Sequence, residues 1–160
     1  MFQKGDKVVY PMYGAGIIDA VEEAEDQKME HCHYVIRIPN GNLKIKVAVE
    51  KTERIGLRPI SDMQTIDSAL EQAAGEPVVL QSNWNLRYKE NLEKIRSGHL
   101  VAVAEVARAL ALRERERGLS SAEKKMFHNT KQILSSEIAY VQGVEQEKAE
   151  DYLAKKLFHC

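Results

Sequence analysis

The segment HYVIRIPNGNLKIKV, residues 33–47, decides the fold of the first third of the chain. Two runs rich in β-branched and apolar residues flank Asn40-Gly41, a pair that tolerates the positive φ angles of a tight hairpin turn. The second run, residues 43–47, alternates between apolar and charged side chains, which is typical of a strand with one face on a core. The segment therefore predicts an antiparallel hairpin.

Shorter strand patterns before this hairpin extend the prediction to a small β-barrel. Residues 7–10 end at Pro11, and residues 17–21 follow the turn residues Gly14-Ala15-Gly16. A barrel of about sixty residues buries a small core, so packing on a second domain would stabilise it. The acidic run in residues 22–26 is expected to be a solvated loop between strands.

After Arg58-Pro59 the apolar spacing changes from two residues to three and four, which predicts helices. The first ends at Gly75-Glu76-Pro77, and others are expected over residues 83–97 and 99–117. Ser82 is a plausible N-cap of the helix that begins near residue 83. A fourth helix begins at Ser120, which forms a capping box with Glu123, and a last amphipathic helix follows near the C-terminus.

These patterns predict an α+β protein of two domains. A small β-barrel is expected in residues 1–58, and an all-α bundle of about five helices in residues 62–160. Residues 58–62 are interpreted as the link between them. At 160 residues and 44% hydrophobic content, the chain has enough apolar side chains for two small cores.

Charge is distributed unevenly, although the formal net charge is only −1. Residues 1–77 contain nine basic and thirteen acidic side chains, whereas residues 78–143 contain eleven basic and seven acidic ones. An excess of four positive charges is compatible with a few phosphate contacts. No apolar run is long enough to span a membrane and no signal segment is recognisable, so we expect a cytoplasmic protein without a membrane partner.

The segment NWNLRYK, residues 83–89, places the only tryptophan at a helix start beside amides and cations. An apolar ring flanked by basic groups suits insertion into the DNA minor groove, where such side chains unstack and kink the duplex. The alternative is structural. Trp84, Tyr88, Leu92 and Ile95 also form a helical stripe that could face a core. Spacing alone does not decide between the two interpretations.

The sequence gives little evidence for catalytic or metal-binding residues. In a strand, His31 and His33 face one side and Cys32 the other, so the three do not converge on one metal ion. Gly14-Ala15-Gly16 lies between strands and indicates a turn rather than a phosphate-binding loop. We therefore expect no catalytic residue, no metal and no cofactor, and the protein is predicted not to be an enzyme.

Taken together, motifs from both halves resemble the CarD family of bacterial transcription regulators over nearly the whole chain. The similar segments, in order, are residues 5–16, 41–47, 83–84, 87–94, 104–106, 116–120 and 123–124. The resemblance implies a Tudor-like or SH3-like N-terminal domain that binds the β subunit of RNA polymerase. That domain is also similar to the polymerase-interacting module of the transcription-repair coupling factor. It further implies a helical domain that contacts promoter DNA.

In the family, the tryptophan that Trp84 matches enters the minor groove at the upstream edge of the transcription bubble. Arg87, Lys89 and Lys124 match basic positions that hold the DNA backbone, and Lys46 matches a basic residue on the polymerase side. The implied function is regulation of transcription initiation by stabilising the open promoter complex, with little sequence specificity. The alternative is an interaction module of the transcription machinery that does not contact DNA.

Two positions depart from the family pattern. Ala24 stands where some relatives have a polymerase-contacting arginine, and Leu86 occupies a position that can be basic. Affinity for polymerase and for DNA is therefore expected to differ from those relatives.

Overall fold

Five strands form one antiparallel sheet in the order β4-β3-β2-β1-β5. The computed structural model describes residues 1–23, 32–75 and 82–158. The strands are β1 (Lys7–Tyr10), β2 (Gly14–Glu22), β3 (His33–Ile38), β4 (Leu43–Ala48) and β5 (Arg58–Pro59). Ladders among the described residues join β1 to β2 and β5, and join β3 to β2 and β4. The sheet therefore has two edges, β4 and β5.

The hairpin predicted from residues 33–47 is present, with a four-residue connection. Ile38 pairs with Leu43, and the Asn42 N–H donates to the Pro39 carbonyl over 2.9 Å. Positive φ occurs at Gly41 (81°) and Asn42 (53°), so the left-handed pair lies one residue later than Asn40-Gly41 suggested. The shift keeps the predicted alternation, because Val47 is buried whereas Lys44 and Lys46 are exposed.

The strand domain has its own core, and a short segment closes it. Its fully buried apolar side chains come from β1, β2 and β3, and they are Val8, Ile18, Tyr34, Ile36 and Ile38. A 3₁₀ turn (Val49–Lys51) and the one-turn helix α1 (Thr52–Ile55) lead to Gly56, whose φ of 89° ends that helix. The chain then enters β5, so the last strand lies in the segment that the sequence pattern assigned to the link.

Five further helices follow and form the second domain. They are α2 (Met63–Gly75), α3 (Trp84–Ser97), α4 (Leu100–Glu116), α5 (Ser121–Gln142) and α6 (Gln146–Leu157). Helix α4 packs against α2, α3 and α5, and buries Val103, Ala104, Val106, Ala107 and Leu110. The α+β class, with strands followed by about five helices, agrees with the sequence prediction. Within the described residues, no helix combines the length and apolarity needed to cross a bilayer.

Helix α5 joins the helical domain to the sheet through two neighbouring residues. Glu137 accepts hydrogen bonds from both ends of the Arg58 guanidinium fork, each 2.8 Å long, and from the Ser61 N–H at 2.7 Å. The Ser136 hydroxyl accepts the Ala15 N–H over 3.0 Å. Gly14 makes this approach possible, because a Cβ there would lie 2.8 Å from the Ser136 Oγ atom. The two domains are thus held together by buried polar contacts.

Candidate nucleic-acid interface

Trp84 is the first residue of α3, and its side chain is exposed. Asn83 caps the helix by accepting the Leu86 N–H over 3.2 Å. The N-cap therefore lies one residue after Ser82, the residue that the sequence pattern predicted for this role. Trp84 is 41% exposed and Leu86 is 50% exposed, and in the described part of the helical domain they are the large hydrophobic side chains that face solvent. Ile95, from the same stripe, is fully buried. Trp84 is therefore not a core residue.

Two contacts hold the exposed indole. Its ring stacks on Tyr88 with a centroid distance of 5.1 Å and an interplanar angle of 15°. Its Nε1–H donates to the Ser120 hydroxyl over 3.3 Å. Ser120 is the N-cap of α5, as the capping box predicted, and accepts the Glu123 N–H over 3.2 Å. The N-termini of α3 and α5 therefore meet at Trp84, and both carry the partial positive charge that favours anions.

Arg87 does not face solvent as a phosphate contact would. It is 3% exposed, and its Nε–H donates to Glu123 Oε2 over 3.0 Å while its Nη2 donates to Oε1 over 3.3 Å. The structure thus places Arg87 in a buried ion pair with Glu123, whereas the sequence interpretation placed it on the DNA backbone. A contact of Arg87 with DNA stays a prediction.

Glu123 is the matching buried carboxylate on α5. It is 2% exposed, and Arg113 approaches it as a second cation at 3.9 Å. Burial raises the pKa of Glu123, but the hydrogen bonds and charge of Arg87 and the hydrogen bonds of Ser120 outweigh it and hold the pKa below its usual value. The carboxylate is thus charged at neutral pH, and it links α3 to the first turn of α5.

The two predicted lysines of the helical domain are exposed. Lys124 lies four residues after Ser120, so it stands one turn further along α5 on the side that Trp84 contacts. Lys89 lies five residues after Trp84, which turns it about 140° away around the axis of α3. The spacing therefore places Lys124 on the side of α5 that carries Ser120, and it turns Lys89 toward the side of α3 away from Trp84.

The predicted polymerase-side residue, Lys46, lies on the edge strand β4. Its Nζ atom is 3.0 Å from Glu22 Oε2, and both side chains are about half exposed, with values of 58% and 50%. An ion pair of this exposure contributes little to stability and gives way readily to a partner. Leu43, at the start of the same strand, is also exposed. Within the part of the chain that the structure describes, the strand thus presents an unpaired backbone edge together with two exposed cations, Lys44 and Lys46, and one exposed apolar side chain.

The sequence alone did not indicate the role of Ser120 toward Trp84 or the Arg87–Glu123 pair. The capping box marked Ser120 and Glu123 as a helix start, but no local signal shows that this start packs against α3. One of the weak metal candidates, His31, lies outside the described residues, as does Ala24. Among residues 1–23, 32–75 and 82–158, no group of three or more His, Cys, Asp or Glu is arranged to hold a metal ion.

Among the described residues, the protein thus combines a sheet domain with an unpaired edge and a helical domain with an exposed tryptophan. Comparison with known proteins identifies its family. The CarD-like/TRCF RID domain matches residues 2–61, and the CarD C-terminal domain matches residues 68–154. The chain is also similar to the "Putative transcription factor YdeB" of Bacillus subtilis (strain 168), at 34% identity over 152 residues, which cover 95% of this chain and 99% of the relative.

The chain belongs to the CarD family, as its sequence resemblance predicted. Members of this family are not enzymes, which agrees with the weakness of every catalytic candidate in the sequence.

Proposed function

We propose that this protein regulates transcription initiation by binding the β subunit of bacterial RNA polymerase through its sheet domain and promoter DNA through its helical domain. The observation that carries the proposal is the exposed, stacked Trp84 at the junction of two helix N-termini. The RID match supports the polymerase side, and the name of the Bacillus subtilis relative supports a role in transcription.

On the polymerase side, the proposed surface is strand β4. Among the described strands it pairs with β3 alone, so its outer backbone groups are available to a strand of the partner. Main-chain pairing of this kind supplies affinity, and alternate side chains supply specificity. Lys44 and Lys46 share one face, opposite the half-buried Ile45. Lys46 supplies the cation at this contact.

On the DNA side, Trp84 acts as an apolar wedge, a side chain inserted beside unstacked bases. The wedge needs a ring that protrudes and is already ordered, because immobilising a side chain on binding costs free energy. Stacking on Tyr88 and the Ser120 hydrogen bond provide that order. Lys89, Lys124 and the helix N-termini attract the neighbouring phosphates.

The two contacts reinforce one another. A helical region with a small positive excess and one wedge binds DNA weakly at physiological salt, but attachment to polymerase raises the local DNA concentration to about millimolar levels. If Trp84 binds the open promoter better than the closed duplex, the equilibrium shifts by that difference. A difference of about 1.4 kcal/mol shifts it tenfold.

The lifetime of the open complex tests this proposal directly. Trp84→Ala should shorten it and reduce transcript yield, while capture of RNA polymerase stays unchanged because β4 is untouched. Leu86→Ala is the matched control, since it removes an exposed apolar side chain from the same helix turn. An unchanged lifetime in the Trp84 variant would remove the wedge from the mechanism.

A second candidate, an interaction module that does not contact DNA, has one observation in its favour. Trp84 and Leu86 are both exposed apolar side chains in the first turn of α3, and exposed apolar side chains also suit a protein partner. Salt dependence separates the two functions. Each lysine that neutralises a phosphate adds about 0.9 to the slope of log affinity against log salt on B-DNA. Lys89→Ala with Lys124→Ala should flatten that slope if the protein binds DNA, and a slope equal to wild type favours the interaction module.

A further inference from the structure

Four side chains at the start of α3 and α5 are connected by hydrogen bonds. Trp84 and Arg87 come from α3, and Ser120 and Glu123 from the start of α5, and the two members on each helix are three positions apart. Trp84 donates to Ser120, and Arg87 donates twice to Glu123. The Ser120 hydroxyl in turn donates to Glu123 Oε1 over 3.2 Å, and this hydrogen bond connects the Trp84 contact to the Arg87 contact. We call these four residues the α3–α5 network.

The α3–α5 network is buried at one end and exposed at the other. Arg87 and Glu123 are 3% and 2% exposed, whereas Trp84 protrudes into solvent. A guanidinium fork on a carboxylate fixes both distance and orientation, which a single hydrogen bond does not. The buried pair therefore fixes how the first turn of α5 lies against α3, and Ser120 carries that geometry to the indole.

We propose that Arg87 is a positioning residue for Trp84 and not a contact to DNA. Its fork on Glu123 holds the Ser120 hydroxyl where the indole N–H meets it, so that the ring is stacked on Tyr88 before DNA arrives. The inference rests on the proposed function, because it assigns DNA as the ligand of Trp84. It reassigns a basic residue whose spacing from Trp84 otherwise suggests a phosphate contact.

Release of Arg87 toward a phosphate would be unfavourable. Glu123 would keep Arg113 as a cation at 3.9 Å, but it would lose the two hydrogen bonds of the fork. A buried carboxylate that loses its hydrogen-bond donors is strongly disfavoured. The buried pair is therefore retained when Trp84 meets DNA, and Lys89 and Lys124 supply the phosphate contacts.

A double variant, Arg87→Met with Glu123→Gln, tests the inference because it removes both charges of the buried Arg87–Glu123 pair together. Trp84 is the only tryptophan, so its fluorescence reports this site and no other. In the free protein, the variant should show lower tryptophan anisotropy and stronger acrylamide quenching than wild type. The open-complex lifetime should fall toward that of Trp84→Ala. The salt slope of DNA binding should stay within about 0.3 of wild type, since no phosphate contact is lost.

A phosphate contact predicts the opposite pattern. The slope would then fall by about 0.9 while anisotropy and quenching stay at wild-type values, as expected for the control Lys124→Met. Either that pattern, or unchanged fluorescence together with an unchanged lifetime, would overturn the positioning role. If the double variant does not fold, Ser120→Ala and Ser120→Thr replace it. The alanine variant should raise quenching and shorten the lifetime, and threonine, which keeps the hydroxyl, should do neither.

The fluorescence measurement also separates this inference from the proposed function. It uses the free protein, so it reports whether Arg87 orders Trp84 even if Trp84→Ala leaves the open complex unaffected. In that case the proposed insertion of Trp84 into DNA would be wrong, and the fluorescence of the free double variant would still decide whether Arg87 positions Trp84.

Discussion

Helix α5 makes two arginine–glutamate ion pairs, one near its start and one further along, and they join it to different parts of the molecule. Near its start, Glu123 accepts the fork of Arg87 from α3, within the helical domain. Further along, Glu137 accepts the fork of Arg58 from β5, across the boundary to the sheet domain. Both carboxylates are 2% exposed, but the arginine side chains differ, at 4% for Arg87 and 27% for Arg58. One pair is sealed inside a domain, and the other lies at a partly hydrated interface.

The two ion pairs lie at a defined spacing along α5. Glu123 and Glu137 are fourteen residues apart on one helix, which corresponds to about 21 Å along its axis. Fourteen residues bring the helix almost back to the same face, about 40° short of four turns. A single rigid element therefore carries both the network around Trp84 and the contact to the sheet domain.

The largest expected effect comes from removing each arginine in turn. Arg87→Ala leaves Glu123 buried with Arg113 as its nearest remaining cation, and loss of one partner of a buried pair costs about 3–5 kcal/mol. Arg58→Ala should cost less, because Glu137 keeps the Ser61 N–H and the lost guanidinium was partly solvated. Urea unfolding of both variants measures the difference. An equal or larger cost for Arg58→Ala would contradict the contrast between a sealed and a hydrated pair.

The next largest loss of stability is expected from substitution of Gly14, which lies against Ser136 beside Glu137 on α5. Its φ is 106°, and an added Cβ would lie 2.8 Å from Ser136 Oγ, so Gly14→Ala should cost about 1–3 kcal/mol through strain and overlap. Gly143→Ala is the matched control, since its φ is 66° but no atom lies within 4 Å of the added Cβ. Thermal unfolding should show the Gly14 variant melting below the control. Equal melting temperatures would show that the interface yields at this point.

A smaller effect on the free energy of unfolding is expected from lowering the pH, because Glu123 then becomes protonated. The pKa of folded Glu123 lies below its usual value, so the folded state binds fewer protons and stability rises with pH. This contribution is complete above the unfolded glutamate pKa of about 4.3 and is lost as pH falls through the folded value. Glu123→Gln should flatten the acid limb of the stability curve, whereas exposed Glu116→Gln should not. An unflattened curve would indicate that Glu123 is not favoured in its charged form.

The smallest effect is expected for the exposed pair on β4. Lys46→Glu removes its contact with Glu22, which contributes about 0.2–1 kcal/mol at such exposure, so the melting temperature should hardly change. Capture of RNA polymerase should nevertheless weaken, because the contacting cation is reversed. Lys51→Glu, also exposed but after the strand, is the control. A large stability loss with intact polymerase capture would reverse the assignment of Lys46 to an interface.

Local pattern was sufficient for strands β1 to β4 and for helices α2 to α6. Strand alternation in residues 43–47, the Ser120 capping box and the apolar spacing of the helices each depend on neighbours within one turn or one hairpin. Contacts between distant segments carried no such signal. Arg58 and Glu137 are 79 residues apart, so the sequence indicated a link at Arg58 where the structure has a strand and an ion pair.

The candidate site was predicted in part, for a related reason. Trp84 carried two interpretations because one helical stripe serves a core and a wedge equally well, and only its 41% exposure separates them. Arg87 was assigned to phosphate because a basic residue three positions after an exposed ring fits either role. The positioning role proposed instead rests on the ion pair with Glu123, which lies 36 residues further along the chain.

The outer edge of β4, which is unpaired in residues 1–23, 32–75 and 82–158, also bears on solubility. A strand whose backbone groups are unsatisfied is a template for pairing with another copy, and exposed edges are a common starting point for aggregation. The exposed side chains of Lys44 and Lys46 give two copies of this edge the same charge. Repulsion between like charges opposes self-pairing while leaving the backbone open to a strand of complementary charge. Substitution of both by valine would favour the strand conformation, yet it would remove the barrier that keeps unbound molecules apart.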